Sequence, residues 1–123
     1  MAAPNIVGVT NILGSTAAVA ATTSGATVVT NSAASGKVYK INSVIVANID
    51  GTNVADVTVA LSRGVSGTPT NYPLVSTVAV PADATLVALS KDMGIYLEED
   101  DALVATASAD GDLVVICSYE AIS

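Results

Sequence analysis

The side chains of residues 38–49 alternate at the period of two that a strand requires, with Tyr39, Ile41, Ile45, Ala47 and Ile49 interleaved among Val38, Lys40, Asn42, Val44, Val46 and Asn48. Asp50-Gly51-Thr52-Asn53 then supplies turn chemistry. Beyond it Ala55, Val57, Val59 and Leu61 face one way while Asp56, Thr58 and Ser62 face the other, so the two runs are predicted to form a hairpin. Residues 63–72 are rich in Gly, Ser, Thr and Pro and read as a loop, with Pro69 and Pro73 keeping regular ladder bonding out. Strand composition resumes over 74–80, Pro81-Ala82-Asp83 turns the chain, and 85–89 gives another short strand. Residues 90–94 fit a single helical turn. Ile95-Tyr96-Leu97 leads into an acidic run, and residues 102–108 and 113–119 flank Asp110-Gly111, a strong hairpin signal. Upstream, β-branched patches at 6–10 and 26–30 are separated by Gly14-Ser15, Ser24-Gly25 and Ser35-Gly36. No amphipathic helix is evident. Seven to nine short strands at this spacing predict an all-β fold, an antiparallel β-sandwich or jelly roll.

Several strands are apolar on both parities: Leu74, Val78 and Val80 with Val75 and Ala79, and Leu113 and Val115 with Val114 and Ile116. Only one face of each sheet in a sandwich meets the core, so the second apolar face needs its own cover. Burying a Val is worth about 1.5 kcal/mol or more, and several left exposed favour association. Self-assembly, or docking on another protein, is the inference.

Composition narrows the class. The 123 residues suffice for one domain, and with aromatics at 3%, all Tyr, the core must be built from Val, Ala, Ile and Leu. Lys37 is the first charged residue, so residues 1–36 are neutral. They read either as an arm lying on a neighbouring subunit or as two ordinary strands and a frayed end of a single domain whose body is 37–123. The net charge of −7 repels phosphate backbones and anionic headgroups, which argues against nucleic acid and membrane partners. No apolar run approaches the ~20 residues of a spanning helix. Ala18-Val19-Ala20 fits a signal-peptidase site, but no basic residue precedes it and Pro4, Gly8, Asn11 and Gly14 break the apolar stretch.

Chemistry is sparse. With no His and one Cys the chain has no ordinary general base, no Cys/His zinc set and no internal disulfide, so neither an enzyme nor a cofactor is expected. Glu98-Glu99-Asp100-Asp101 could offer oxygens to a hard cation, but consecutive residues at a strand boundary diverge, and a solvated turn is the plainer reading. Asp110-Gly111-Asp112 reads as a turn tip. Cys117 shares the parity of Leu113, Val115 and Tyr119 and is expected to be buried. Ser90-Lys91 is too weak a signal for a catalytic dyad.

The runs Ser35-Gly36-Lys37-Val38-Tyr39-Lys40-Ile41-Asn42, Asn48-Ile49-Asp50-Gly51-Thr52-Asn53-Val54-Ala55-Asp56-Val57-Thr58-Val59 and Val80-Pro81-Ala82-Asp83-Ala84 resemble a family of small virion structural proteins of tailed phages infecting cyanobacteria and other marine bacteria. Ile95-Tyr96-Leu97-Glu98-Glu99, Ser108-Ala109-Asp110-Gly111-Asp112-Leu113 and Ser118-Tyr119-Glu120 are similar too, while Asp100-Asp101 stands where a Gly-Asp turn is expected. The resemblance implies a virion component assembled in the bacterial cytoplasm, where a lone Cys would stay reduced. Its sharpest form is a capsid decoration, or cement, protein that forms a homo-oligomer, a trimer, and clamps the major capsid protein or other virion proteins. Ile6, Val7 and Val9 are then expected as arm contacts, and Val28 and Val29 as augmenting-strand positions. The alternatives are a neck, tail or fibre-attachment component, or a host-glycan-binding β module. A sugar platform favours exposed Trp or Tyr, and only Tyr39, Tyr72, Tyr96 and Tyr119 are available.

Overall fold

A computed structural model describes residues 7–123. Nine strands are present among them: β1 (Ile12–Ala20), β2 (Ala26–Asn31), β3 (Val38–Asn48), β4 (Ala55–Arg63), β5 (Thr70–Val80), β6 (Thr85–Leu89), β7 (Ile95–Leu97), β8 (Asp101–Ala107) and β9 (Leu113–Ile122). A single 3-10 turn, Lys91–Met93, is the helical turn the sequence predicts. No helix among the described residues is long and apolar enough to cross a membrane. The first sheet runs β1-β9-β3-β6, with β7 also on β3, and the second runs β2-β8-β4-β5, every strand pair antiparallel. With the short β7 set aside, the strands are ordered 1-8-3-6 and 2-7-4-5, which is a jelly roll.

The inward parities build the core between the sheets. Ile41, Val44 and Val46 of β3 and Leu113, Val115 and Cys117 of β9 meet Val57 and Val59 of β4 and Leu103 and Ala105 of β8, all fully buried. Tyr39 and Tyr119 continue it, with ring centroids 5.3 Å apart. The core is aliphatic because no larger ring is available to fill it, and close packing of many small side chains takes over that role.

The topology corrects two hairpins expected from sequence. β3 and β4 lie in different sheets, as do β8 and β9, so both turns carry the chain across the sandwich. Turn residues specify a reversal but not whether the returning strand lands ~4.8 Å away in the same sheet or ~10 Å away in the facing one. The pair β4–β5 is a hairpin, and β5 begins at Thr70 rather than after the prolines. Pro73 is accommodated because β5 is an edge strand with bulged register, where a missing N–H need not face a partner. The two N-terminal strands are full members of the sandwich, β1 on β9 and β2 on β8.

Two buried asparagines fasten the ends. Asn48 donates from Nδ2 to the carbonyls of Asn53 and Val80, 2.9 Å each, and its Oδ1 accepts from Asp50 N, which ties the β3–β4 crossing to the end of β5. At the opposite end Asn31 donates to the carbonyls of Lys37 and Leu97 and accepts from Ser35 Oγ. Each satisfies backbone groups that the crossing loops leave without a ladder partner.

Candidate functional site

The sheet edges differ in how far they invite another strand. β5 carries Pro73, bulges and a left-handed Thr77 at φ 50°, and β2 is bulged between Thr27 and Val29. Such irregularities blunt an edge. β1 has none of them: its register runs from Ile12↔Ile122 to Ala20↔Val114 without a shift, and it contains neither charge nor proline. Ile12 and Leu13 are 57% and 63% exposed, one on each face. A regular, uncharged edge with apolar side chains is a template for pairing.

The outer faces of the two sheets differ in the size of their apolar side chains. On the second sheet the outward rows mix hydroxyls with small apolar side chains, Thr30, Ala102, Ser62 and then Thr27, Val104, Ala60, with Thr106 beside Thr58 beyond them, and a shallow open depression there is lined by Asp56, Thr58, Thr77, Thr106, Ala107 and Ser108. On the first sheet one cross-strand row reads Ala18, Ile116, Ile45, Val87, and the next reads Ala20, Val114, Ala47, Thr85. Val87 is 58% exposed, and Ile45, Ala47, Val114 and Ile116 are partly exposed. The second apolar parity of residues 113–116 therefore faces outward. That of residues 74–80 belongs to an edge strand.

Of the expected contact residues, Ile6 lies outside the described residues. Val7 is 91% exposed and Val9 partly exposed. Val28 and Val29, expected as augmenting positions, lie on β2, an edge strand; their side chains are 8% and 5% exposed and belong to the core, with the register shifted between Thr27 and Val29. The residues missed are Ile12 and Leu13. Gly14-Ser15 looked like a separator after them, yet both lie inside β1, where cross-strand pairing with β9 overrides weak local β propensity. Ile45 and Val87 were legible only as members of their strands.

The acidic run is a structural knot. Glu99 and Asp101 are buried, so the expectation of a merely solvated turn is corrected. Glu99 Oε2 accepts from Gly36 N at 2.7 Å, and Asp101 Oδ2 accepts from Glu98 N. Arg63 Nη2 reaches Glu98 Oε2 at 3.0 Å and Asp101 Oδ2 at 3.4 Å. Asp100 takes the left-handed conformation, φ 69°, of the expected Gly, and holds Ser66 through both N and Oγ. Burial pushes the Asp101 carboxyl above its ordinary value, against the lowering pull of the Glu98 N–H and Arg63. Among the described residues no group of three or more metal-ligating side chains gathers.

Cys117 is fully buried, and desolvation pushes its thiol up to about 11. The exposed tyrosines, Tyr72 on β5 and Tyr96 on β7, lie on different sheets and share no platform.

The sequence matches no protein-family model and no curated protein. A solved structure is similar in fold: a chain from Bacillus endospore appendages, described as a novel family of disulfide-linked pili. It is 17% identical, with a TM-score of 0.51 over 98% of this chain and 95% of that one. The likeness extends across the whole sandwich and concerns its fold.

Proposed function

We propose that this chain is a structural subunit of a virus particle, a decoration protein that docks on the outer capsid lattice and stabilises it through protein contacts rather than chemistry. The observation that carries the reading is the β1 edge, nine residues long, unbulged and uncharged, with Ile12 and Leu13 exposed. Every other edge is short or irregular, so a partner strand or an apolar groove finds its template at β1. Just before it Val7 is 91% exposed and Val9 partly exposed. A Lys on an exposed edge position adds a charge that pairing would have to desolvate while leaving the core untouched. Particles stripped of this protein are therefore expected to rebind the wild type, and to lose binding to Leu13→Lys and to a chain lacking residues 2–9. Undiminished binding of both variants in co-sedimentation would overturn the assignment.

A filament subunit is the second reading, favoured by the end-to-end fold likeness to a chain of a pilus. Linkage through disulfides is not open to this chain in its folded form, since its one cysteine lies in the core. A filament would have to grow through the same edge. Electron microscopy of the purified protein separates the readings, fibres favouring this one and particle-bound density the first.

A further inference from the structure

The outer face of the first sheet has a layout that fits itself. Read along the strands, its rows are Ile12, Ile122, Val38; then Gly14, Glu120, Lys40, Tyr96; then the hydroxyls Thr16, Ser118, Ser43; then Ala18, Ile116, Ile45, Val87; then Ala20, Val114, Ala47, Thr85. Val38 and Ile122 in the first row are only 4% and 6% exposed, so the open part of the face begins at the Lys40–Glu120 row. Lys40 and Glu120 stand directly opposite each other in the register yet form no ion pair, and Glu120 Oε1 instead accepts from Asn42 Nδ2 at 3.3 Å. We propose that this face is a two-fold interface between two copies of the chain, packed sheet against sheet with the axis running along the β3–β9 seam. The proposal stands on this face alone, apart from the β1-edge docking described above.

The register dictates what such an axis brings together. Rotation about the seam lays β9 of one copy over β3 of the other and β1 over β6 and β7, at unchanged height along the strands. Glu120 then faces the second copy's Lys40, and Lys40 its Glu120, so two charges that make no ion pair among the described residues pair between chains. Ile116 meets Ile45, Val114 meets Ala47, and Ala18 meets Val87. Gly14, around which a Cβ would meet nothing within 4 Å, lies opposite Tyr96, which is 43% exposed. Outside the central Ile116–Ile45 contact, larger groups thus face smaller ones, and opposite charges face each other, as an isologous contact requires. Rotation about an axis across the strands would instead lay the Lys40–Glu120 row on the Ala20–Val114–Ala47 row and desolvate both charges against methyl groups. For a chain of net charge −7, a face with one Lys, one Glu and otherwise neutral side chains carries no net charge to repel a second copy. The contact makes pairs rather than the trimer expected from the family resemblance.

Two sets of variants of the full chain test this, read by sedimentation velocity. Gly14→Phe adds a ring where the free chain has room and the paired one does not, so dimerisation is expected to weaken at least tenfold while the melting temperature holds. Lys40→Glu and Glu120→Lys each place like charges across the interface and are expected to be monomeric alone. Mixed with each other they restore two opposite-charge contacts, and a heterodimer is expected, an outcome that does not depend on any effect on either fold because mixing leaves both folds unchanged. A wild-type dimer untouched by Gly14→Phe, or a Lys40→Glu and Glu120→Lys mixture that associates no better than its components, would overturn the interface and leave the β1 docking reading intact. Loss of particle binding by Leu13→Lys with dimers preserved would separate the two surfaces in the other direction.

Discussion

Ile45 of β3 and Ile116 of β9 stand opposite each other on the face of the first sheet that is turned away from the core. Their neighbours on the other parity, Val44, Val46, Val115 and Cys117, are buried in the sandwich. The two isoleucines therefore contribute little to folding and much to what the folded chain can touch. Ile45→Thr and Ile116→Thr are expected to change unfolding free energy by about 1 kcal/mol or less. Leu103→Ala, which opens a cavity at a fully buried site, is expected to cost about 2–5 kcal/mol. Urea denaturation of the variants checks the order, and a larger loss at Ile45 or Ile116 than at Leu103 would contradict it.

Asn48 and Asn31 act as single-residue fasteners for the two ends. Asn48→Ala leaves the carbonyls of Asn53 and Val80 without their donor, and Asn31→Ala does the same for Lys37 and Leu97. Each is expected to destabilise by about 2–3 kcal/mol, since unmade bonds to buried groups cost more than average bonds contribute. Hydrogen exchange should locate the loosening, at the β3–β4 and β5–β6 connections for Asn48 and at residues 32–37 and 97–101 for Asn31. Uniform loosening throughout would show that the asparagines are not local clamps.

Cys117 offers a probe that is silent in the folded chain. Its burial and raised thiol predict no reaction with a disulfide reagent at neutral pH until the sandwich opens, so the labelling rate should track global unfolding. Fast labelling in native buffer would show that β9 leaves the sheet readily.

Two aspartates give stability opposite dependences on pH. The raised Asp101 carboxyl binds its proton more tightly folded than unfolded, so its contribution is full below the ordinary carboxylate range and is lost as pH rises through the raised value. Asp50 is lowered, first by the N–H of Thr52 and then by the side chain and N–H of Asn53. Its contribution is full above the ordinary range and is lost as pH falls through the lowered value. Asp101→Asn is expected to remove part of the decline in stability between acidic and neutral pH, and Asp50→Ala part of the loss at still lower pH. Melting curves at a series of pH values check both, and an Asp101→Asn profile parallel to the wild type would remove Asp101 as a source.

Strand identity was largely legible because alternation over β4 and β9 is a local property of the chain; in β3 the expected parity breaks at the bulge between Ile41 and Ser43, which leaves Ile41 buried with Val44 and Val46 and turns Ile45 outward. Sheet membership was not. The turns at Asp50-Gly51 and Asp110-Gly111 look like hairpin tips because a crossing to the facing sheet needs the same reversal chemistry, and only the partner strands decide between them. The outward apolar face could be read at Val114 and Ile116 from their parity alone. The β1 edge could not, because Gly14-Ser15 mimics a break and only pairing with Glu120 and Tyr119 holds those residues in a strand. The burial of Glu99 and Asp101 was likewise invisible, since it depends on Gly36 and Arg63, remote in sequence from both.

The central claim is that this sandwich carries more apolar strand surface than it can hide within itself. Sedimentation equilibrium of the purified full chain, from micromolar to millimolar concentration and in high salt, tests it most directly. Reversible association that persists in salt is the predicted result, because contacts between aliphatic side chains are not screened. A single 12.1 kDa species across the whole range would contradict it.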